Sequence, residues 1–435
     1  MSYSSYSPVW IFTVLFASAL VLQLGIELWL ASRQARHVMQ HRGVVPPAFA
    51  HRMTLFAHQR AADYTVDCVR LGMLENVFSA LVLISWTLLG GLDALNQALL
   101  GWTGPGFIQQ LAVLLVFAVV SALLGLPWSL FKTFVIEQRY GFNKMTARLW
   151  LADAVKSMLV AALLGIPLAA AVLWLMQMAG SLWWLWAWAL WVGFNVLLMW
   201  LFPTVIAPLF NRFKPLEDIQ LKERIEALMA RSGFQAQGLF VMDGSKRSAH
   251  ANAYFTGLGN AKRVVFFDTL LNKLNPAELE AVLAHELGHF KYKHITKRLW
   301  SFFALSFVGF AALGWLLHQA WFYWGLGVMP AMAVNTSGIE LAVGNNSALA
   351  LILFSMVISV FGGLFQPILS QLSRKHEFEA DAYAVAQTNS QDLANALLKL
   401  YEDNASTLTP DPLYARFHYS HPPATERLAR MQAHG

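Results

Sequence analysis

Seven apolar stretches, each close to the roughly 20 residues a helix needs to cross about 30 Å of hydrocarbon, constrain this chain more than any other feature. They run at roughly 8–31, 74–94, 107–131, 157–178, 182–208, 299–325 and 349–370. Composition agrees, since 57% of the 435 residues are hydrophobic and 13% charged, with a mean hydropathy of +0.47. That balance belongs in a membrane and excludes an ordinary water-soluble domain. In the fifth stretch Pro203 and Pro208 predict a kink or break, because a proline inside a helix removes a backbone hydrogen bond.

The cations sort the connecting segments. Of 31 Lys and Arg, 6 lie between the first two stretches, 5 between the third and fourth, 14 between the fifth and sixth, and 6 after the seventh. The other side has none. Cationic segments stay on the cytoplasmic face, so the N-terminus is expected outside, with the 209–298 region and the C-terminus in the cytoplasm. A wrong count of spans would scatter cations over both faces. The segregation also accounts for an isoelectric point near 9.3, and no nucleic-acid partner is expected. Cys68 is the only cysteine, which rules out an intrachain disulfide and a thiolate metal cluster. The first stretch follows an uncharged N-terminus without a clear cleavage site and reads as a retained span.

Between the fifth and sixth stretches stands His285-Glu286-Leu287-Gly288-His289, an HExxH run. Asn275 as N-cap, Pro276 at the first helical position and Glu278 three residues past the cap predict a helix start. The apolar spacing of Leu279, Val282, Leu283, Leu287 and Phe290 carries that helix through the motif. Residues i and i+4 share a helix face, so His285 and His289 can ligate one zinc ion while Glu286 reaches a water beside it. A catalytic zinc takes three protein ligands and leaves one position open. Downstream, Glu377 and Asp381 are four apart and share a face, whereas Glu379 points away. Glu377 is the expected third ligand, with His376 as a rival, and Asp381 is expected to accept the N–H of His285 and fix its tautomer. The plain alternative is an amphipathic helix whose two histidines are surface or core residues.

The organisation follows. Residues 1–208 hold spans one to five with their loops, 209–298 a catalytic region, 299–370 spans six and seven, and 371–435 the third-ligand helix and a C-terminal catalytic segment. Leu216 to Arg231 reads as an amphipathic helix. Residues 238–242 and 263–267 read as strands around a turn at Asp243-Gly244, and 250–255 as a further strand. A strand beside a zinc helix can bind peptide by edge addition, although a sheet that only supports the helix fits the pattern equally. Glu27, Glu75 and His318 lie in or near spans and can line an aqueous cavity; equally, Glu75 can sit at an interface and His318 be neutral and hydrogen-bonded.

With these segments placed, the chain resembles the membrane-embedded type I CAAX prenyl proteases from about residue 130 to the C-terminus. The likeness is carried by Glu137-Gln-Arg-Tyr-Gly-Phe-Asn-Lys-Met145, Asn252-Ala-Tyr-Phe-Thr-Gly257, Phe267-Asp-Thr-Leu-Leu271, the HExxH run, Glu377-Phe-Glu-Ala-Asp381, and His418-Tyr-Ser-His-Pro-Pro423 followed by Glu426-Arg427. Membership implies a mainly α polytopic fold. Seven transmembrane helices would enclose a water-filled chamber, and a small α+β zincin-like domain would open into it from the cytoplasmic end. It further implies one Zn2+ per chain on His285, His289 and Glu377, with Glu286 as general base. His421 and Arg427 would contact the reacting carbonyl, while Asn252, Ala253 and Tyr254 would contact peptide. Eukaryotic members remove the last three residues after an isoprenylated cysteine. The expected partners are membrane lipids and a peptide or protein substrate, lipid-modified in the eukaryotic case. The lack of long loop insertions and of a retrieval tail points to a bacterial inner membrane rather than the endoplasmic reticulum.

From the residues alone, His421 also reads as a turn residue before Pro422-Pro423, and Arg427 as one cation among many. Three rival functions stay open at this level. One is a membrane quality-control protease of the HtpX type, which is shorter and has fewer spans. The others are a transporter or receptor with an incidental HExxH, and a membrane scaffold.

Overall fold

The structure, a computed structural model, describes residues 6–234, 238–256, 263–335 and 338–434; Gly257, which ends one quoted segment, lies outside them. Seven helices among the described residues are long and apolar enough to cross a membrane: Pro8–Gln40, Leu55–Trp86, Phe107–Glu137, Ala147–Met178, Gly180–Phe210, His294–Leu316 and Val343–Gly363. The number is the expected one, and several ends move for local reasons. The second span stops at Trp86 rather than 94, because Gly90 at φ +76° turns the chain into a separate helix, Gly91–Thr103. Its other end continues through the polar residues down to Leu55, where the Thr54 hydroxyl caps the backbone N–H of Ala57 at 3.1 Å. The sixth ends at Leu316, and a short helix, Ala320–Trp324, takes up the rest of the expected stretch. The seventh ends at Gly363, after which a new helix, Gln366–Gln387, begins with Pro367 in its first turn. At Pro203 the fifth span opens into a π-helical turn, Phe202–Ile206, as a residue without an N–H breaks the regular ladder.

A helix of 32 residues is about 48 Å long, well beyond the hydrocarbon thickness, so the second and fourth spans project on the cation-rich side. Exposed tryptophans mark both boundaries: Trp10, Trp102, Trp186 and Trp315 at one end, Trp29, Trp200 and Trp300 at the other.

The bundle has its main packed core at one end, with only a small cluster of Val38, Ala62 and Val66 between the first two spans at the other. The main core gathers Phe16, Val113, Leu173, Trp183, Leu313 and Leu349 from span ends remote from the cation-rich side, and Leu92, Leu317, Phe322 and Tyr323 from the connections beside them. Buried amides close the same end. Gln109 donates to Asn96 at 2.6 Å, Gln110 donates to the Asn345 carbonyl at 2.6 Å, and Gln110 accepts from the Ala348 N–H at 2.7 Å. Spans two to five bury only 6% of their most apolar windows, as helices with broad lipid-facing surfaces do. One cavity of about 420 Å³ between the first, second and seventh spans is lined by Gln23, Glu27, Asn76, Ser79 and His418. Glu27 therefore faces that cavity; Glu75 is exposed, and His318 lies beyond the end of its span.

On the cation-rich side stands a small α+β unit. Its strands are β1 (Phe213–Pro215), β2 (Gly238–Met242), β3 (Ala253–Thr256) and β4 (Arg263–Phe267), in the order β1-β2-β4-β3. β2 and β4 are parallel, and the other pairs antiparallel. β1 had no sequence signal, being three residues long. The amphipathic helix runs Ile219–Arg231; Asp218 caps it, and Leu216, placed in it by the sequence, donates its N–H to the Leu239 carbonyl instead. Ile225, Leu228, Val264, Phe266, Leu279, Leu283 and Leu287 form the shared core, which the end helices complete through Leu393, Leu397 and Leu428.

Candidate metal centre

The motif lies on the helix Pro276–Lys291, with the reciprocal cap in place: Asn275 accepts from the Glu278 N–H and Glu278 accepts from the Asn275 N–H, both at 2.9 Å. Packed along it is Gln366–Gln387, a close approach that Gly288 permits. A Cβ at Gly288 would come within 2.9 Å of the Ala380 Cα and 3.1 Å of its carbonyl oxygen. That contact sets the height of Glu377 against the two histidines. The His285 and His289 Nε2 atoms are 3.3 Å apart, with Glu377 oxygens 3.5 Å from the first and 3.2 Å from the second. One ligand atom from each of the three residues lies within 4.8 Å of the others.

The surroundings leave these atoms free to bind a cation. His285 Nδ1 donates to Asp381 at 2.8 Å, so its Nε2 carries the lone pair. Arg427 holds both Asp381 oxygens at 2.8 and 2.6 Å, and none of the four side chains His285, Glu377, Asp381 and Arg427 is more than 9% exposed. Oε2 of Glu377 is buried without an aligned hydrogen bond, although His421 Nδ1 is 2.7 Å away. A buried carboxylate oxygen left in that condition fits a metal ion. Burial works to lower the pKa of His285, but the Asp381 and Glu377 hydrogen bonds outweigh it and push the value from 6.5 to about 9. Burial likewise opposes ionisation of Glu377, yet the imidazoles of His285, His289 and His421 gathered around it hold its carboxyl well below the ordinary range. The cluster draws positive charge toward itself, as a divalent cation site must. The residues present fit a metal.

Beside this centre is a pocket of about 140 Å³. Glu286, Asn252, Ala253, His421 and Arg427 line it, with Leu397 and Leu400 among its apolar walls. The outer edge of β3 has no strand partner among the described residues, so its backbone is open to an added strand. Tyr254 is not brought to the pocket. Alternation along β3 turns it to the other face, where its hydroxyl lies 4.0 Å from the Met242 sulfur and its ring meets Phe267. His376, the rival third ligand, stacks on His294 instead of approaching His285.

Several supporting residues carried no sequence signal of their role. Glu137, at the end of the third span, accepts from Tyr64 at 2.6 Å and lies 3.4 Å from His250 Nε2. The His250 ring stacks on Phe142, and Asn404 accepts from the Ala251 N–H at 3.1 Å. The chain entering β3 is thereby pinned to the membrane helices. Arg33 and Gln34, at the end of the first span, hold the side chain and N–H of Asp411 at 2.9 and 2.7 Å, which sets the segment leading to His421.

Comparisons with known proteins cover nearly the whole chain. Residues 34–212 match the family model described as CAAX prenyl protease N-terminal, five membrane helices, and residues 215–434 match peptidase family M48. CAAX prenyl protease 1 of Saccharomyces cerevisiae is 32% identical over 426 residues, spanning 94% of this chain and 93% of its own. A CAAX prenyl protease 1 homolog of Arabidopsis thaliana is 38% identical over 312 residues, covering 71% of this chain and 70% of its own. The crystal structure of S. mikatae Ste24p superposes with a TM-score of 0.88 at 29% identity, covering 97% of this chain and 99% of that one. These matches leave no place for an incidental HExxH in a transporter or scaffold. Seven spans and the matched N-terminal helices likewise separate the chain from the shorter HtpX type. The chain belongs to peptidase family M48, as a multi-pass membrane metalloprotease of the CAAX prenyl protease type.

Proposed function

We propose that the chain is a zinc endopeptidase that takes an extended peptide along β3 and cuts it beside Glu286, with one Zn2+ held by His285, His289 and Glu377. The observation carrying this reading is the convergence of those three side chains next to an open strand edge. Zinc held there supplies Lewis acidity to the scissile carbonyl and to the attacking water. Glu286 accepts the proton of that water and returns it to the departing amine. His421, 63% exposed at the pocket, donates to the oxygen on which negative charge develops. Arg427 is engaged by Asp381, so its part is to fix that carboxylate and lend positive charge to the centre. Asn252 and Ala253 contact peptide through the pocket, and Tyr254 through its backbone.

The substrate we propose is a C-terminal peptide bearing a lipid on cysteine, after the printed name of the relatives. The cavity of about 420 Å³ between the first, second and seventh spans, walled in part by Leu20, Leu24, Leu83 and Val360, offers space for the lipid. All 31 cations lie on the side of the metal centre, which favours an N-terminus outside and a cytoplasmic active site, in the inner membrane if the cell is bacterial. The test is incubation of the purified, zinc-loaded protein with farnesylated and unmodified peptides, with product masses read directly. Release of a C-terminal tripeptide from the farnesylated peptide alone is expected. Equal internal cleavage of both would remove the lipid from the proposal.

A further inference from the structure

Glu379 and His294 are absent from the mechanism above, yet they meet next to it. The motif helix ends at Lys291, and Lys293 then adopts φ +56°, a left-handed conformation that is strained for a lysine. Only this reversal brings His294 back over the helix it has just left. His294 Nδ1 lies 3.0 Å from His289 Nδ1, and His294 Nε2 lies 2.8 Å from a Glu379 oxygen. Between two Nδ1 atoms at that distance there is room for one hydrogen. Glu379, an acceptor, takes the Nε2 hydrogen of His294, so His294 Nδ1 bears a lone pair and the shared hydrogen belongs to His289. The His289 Nε2 lone pair then faces Glu377 and the metal position.

We infer that His294 and Glu379 are positioning residues that fix the tautomer and ring orientation of His289, as Asp381 with Arg427 does for His285. The inference rests on the reading of His289 as a zinc ligand. It explains why two adjacent carboxylates of one helix face different ways: Asp381 serves the first histidine directly, and Glu379 the second through an intervening imidazole. A second metal on His294, His376 and Glu379, whose ligand atoms also lie within 4.8 Å of one another, is the competing account. The rings of His294 and His376 are stacked at 4.0 Å and 14°, so their in-plane lone pairs run side by side and do not converge on one ion. His294 Nδ1 is moreover already paired with His289.

The experiment measures zinc stoichiometry and zinc affinity, by chelator competition, on the full chain in detergent. His294→Phe keeps the ring stacked on His376 and removes both nitrogens; it should weaken zinc binding about 10–100-fold while one zinc still binds at saturation. Glu379→Ala, at a residue 35% exposed, should weaken it several-fold, and Glu379→Gln, which retains an acceptor, should restore most of the loss. His376→Phe should stay within about twofold of the parent, where the same principle predicts no effect for a residue outside the relay. Unchanged affinity in both His294→Phe and Glu379→Ala overturns the inference. So does a parent protein with two zinc ions per chain that loses one in His376→Phe. A parent that binds no zinc overturns the metal reading itself, an outcome distinct from either.

Discussion

The membrane bundle and the α+β unit bury polar groups for opposite reasons. In the bundle, Gln109, Gln110 and Asn346 are at most 2% exposed and are answered by one another and by backbone, neutral group to neutral group. They seal the end where the helices meet. In the α+β unit, His285, Glu377, Asp381 and Arg427 are also buried but ionisable, and one carboxylate oxygen is left without an aligned donor. Burying ions costs several kcal/mol each unless they are paired. The bundle is thus complete as a protein structure, whereas the α+β unit is completed by a cation.

The sharpest way to probe that difference is to change the chemistry without the charge cluster. Glu286→Gln should bind zinc as tightly as the parent and lose about 10²–10⁴-fold in kcat, read from peptide turnover and metal content together. Retained turnover would remove Glu286 from the base role. His421→Ala should cost about 10²–10³-fold in kcat with zinc retained; a change confined to KM would make His421 a peptide contact only.

The charge cluster itself is tested through Arg427→Ala, which leaves buried Asp381 with His285 alone and should destabilise the metal-free protein by about 3–5 kcal/mol in denaturant unfolding. Gln110→Leu, in the bundle, should cost only about 1–3 kcal/mol for the groups left unpaired. If the two losses were equal, the contrast between the regions would fail. Gly288→Ala falls between them in kind, since its Cβ meets backbone at 2.9 Å; overpacking of about 1–3 kcal/mol should appear together with weaker zinc binding as Glu377 shifts.

A last prediction concerns pH. With the His285 pKa raised from 6.5 to about 9, the metal-free protein holds that proton at neutral pH, and zinc must displace it. Zinc affinity should therefore rise with pH up to about 9, with roughly one proton released per zinc near neutrality. For the metal-free fold the sign is reversed: the stabilisation from this group is fully present below 6.5 and is lost as pH rises through about 9. An indicator-dye measurement of proton release during zinc titration checks the first, and unfolding at several pH values the second.

Much of this was legible in the residues. Seven spans, the segregation of cations, the capped helix with His285 and His289 on one face, and the sharing of a helix face by Glu377 and Asp381 all follow from order along a few turns of chain. Glu379 shows where that reasoning stops, because its helix face was evident and its partner was not. His294 reaches it only through the left-handed turn at Lys293, a backbone choice that nothing in the residue's type announces.

By itself, the sequence determined how many times the chain crosses the membrane, which side carries the charge, and which short segments hold metal-binding chemistry. Hydropathy, capping and helical periodicity act over a few to about 20 residues and need no knowledge of the rest. Only the tertiary structure decided that Glu377 meets His285 and His289 across the hairpin of spans six and seven, that Arg427 answers Asp381, and that Tyr254 turns from the pocket. Those outcomes depend on how closely distant helices pack, here on the missing side chain of Gly288, and packing is a property of the assembled fold.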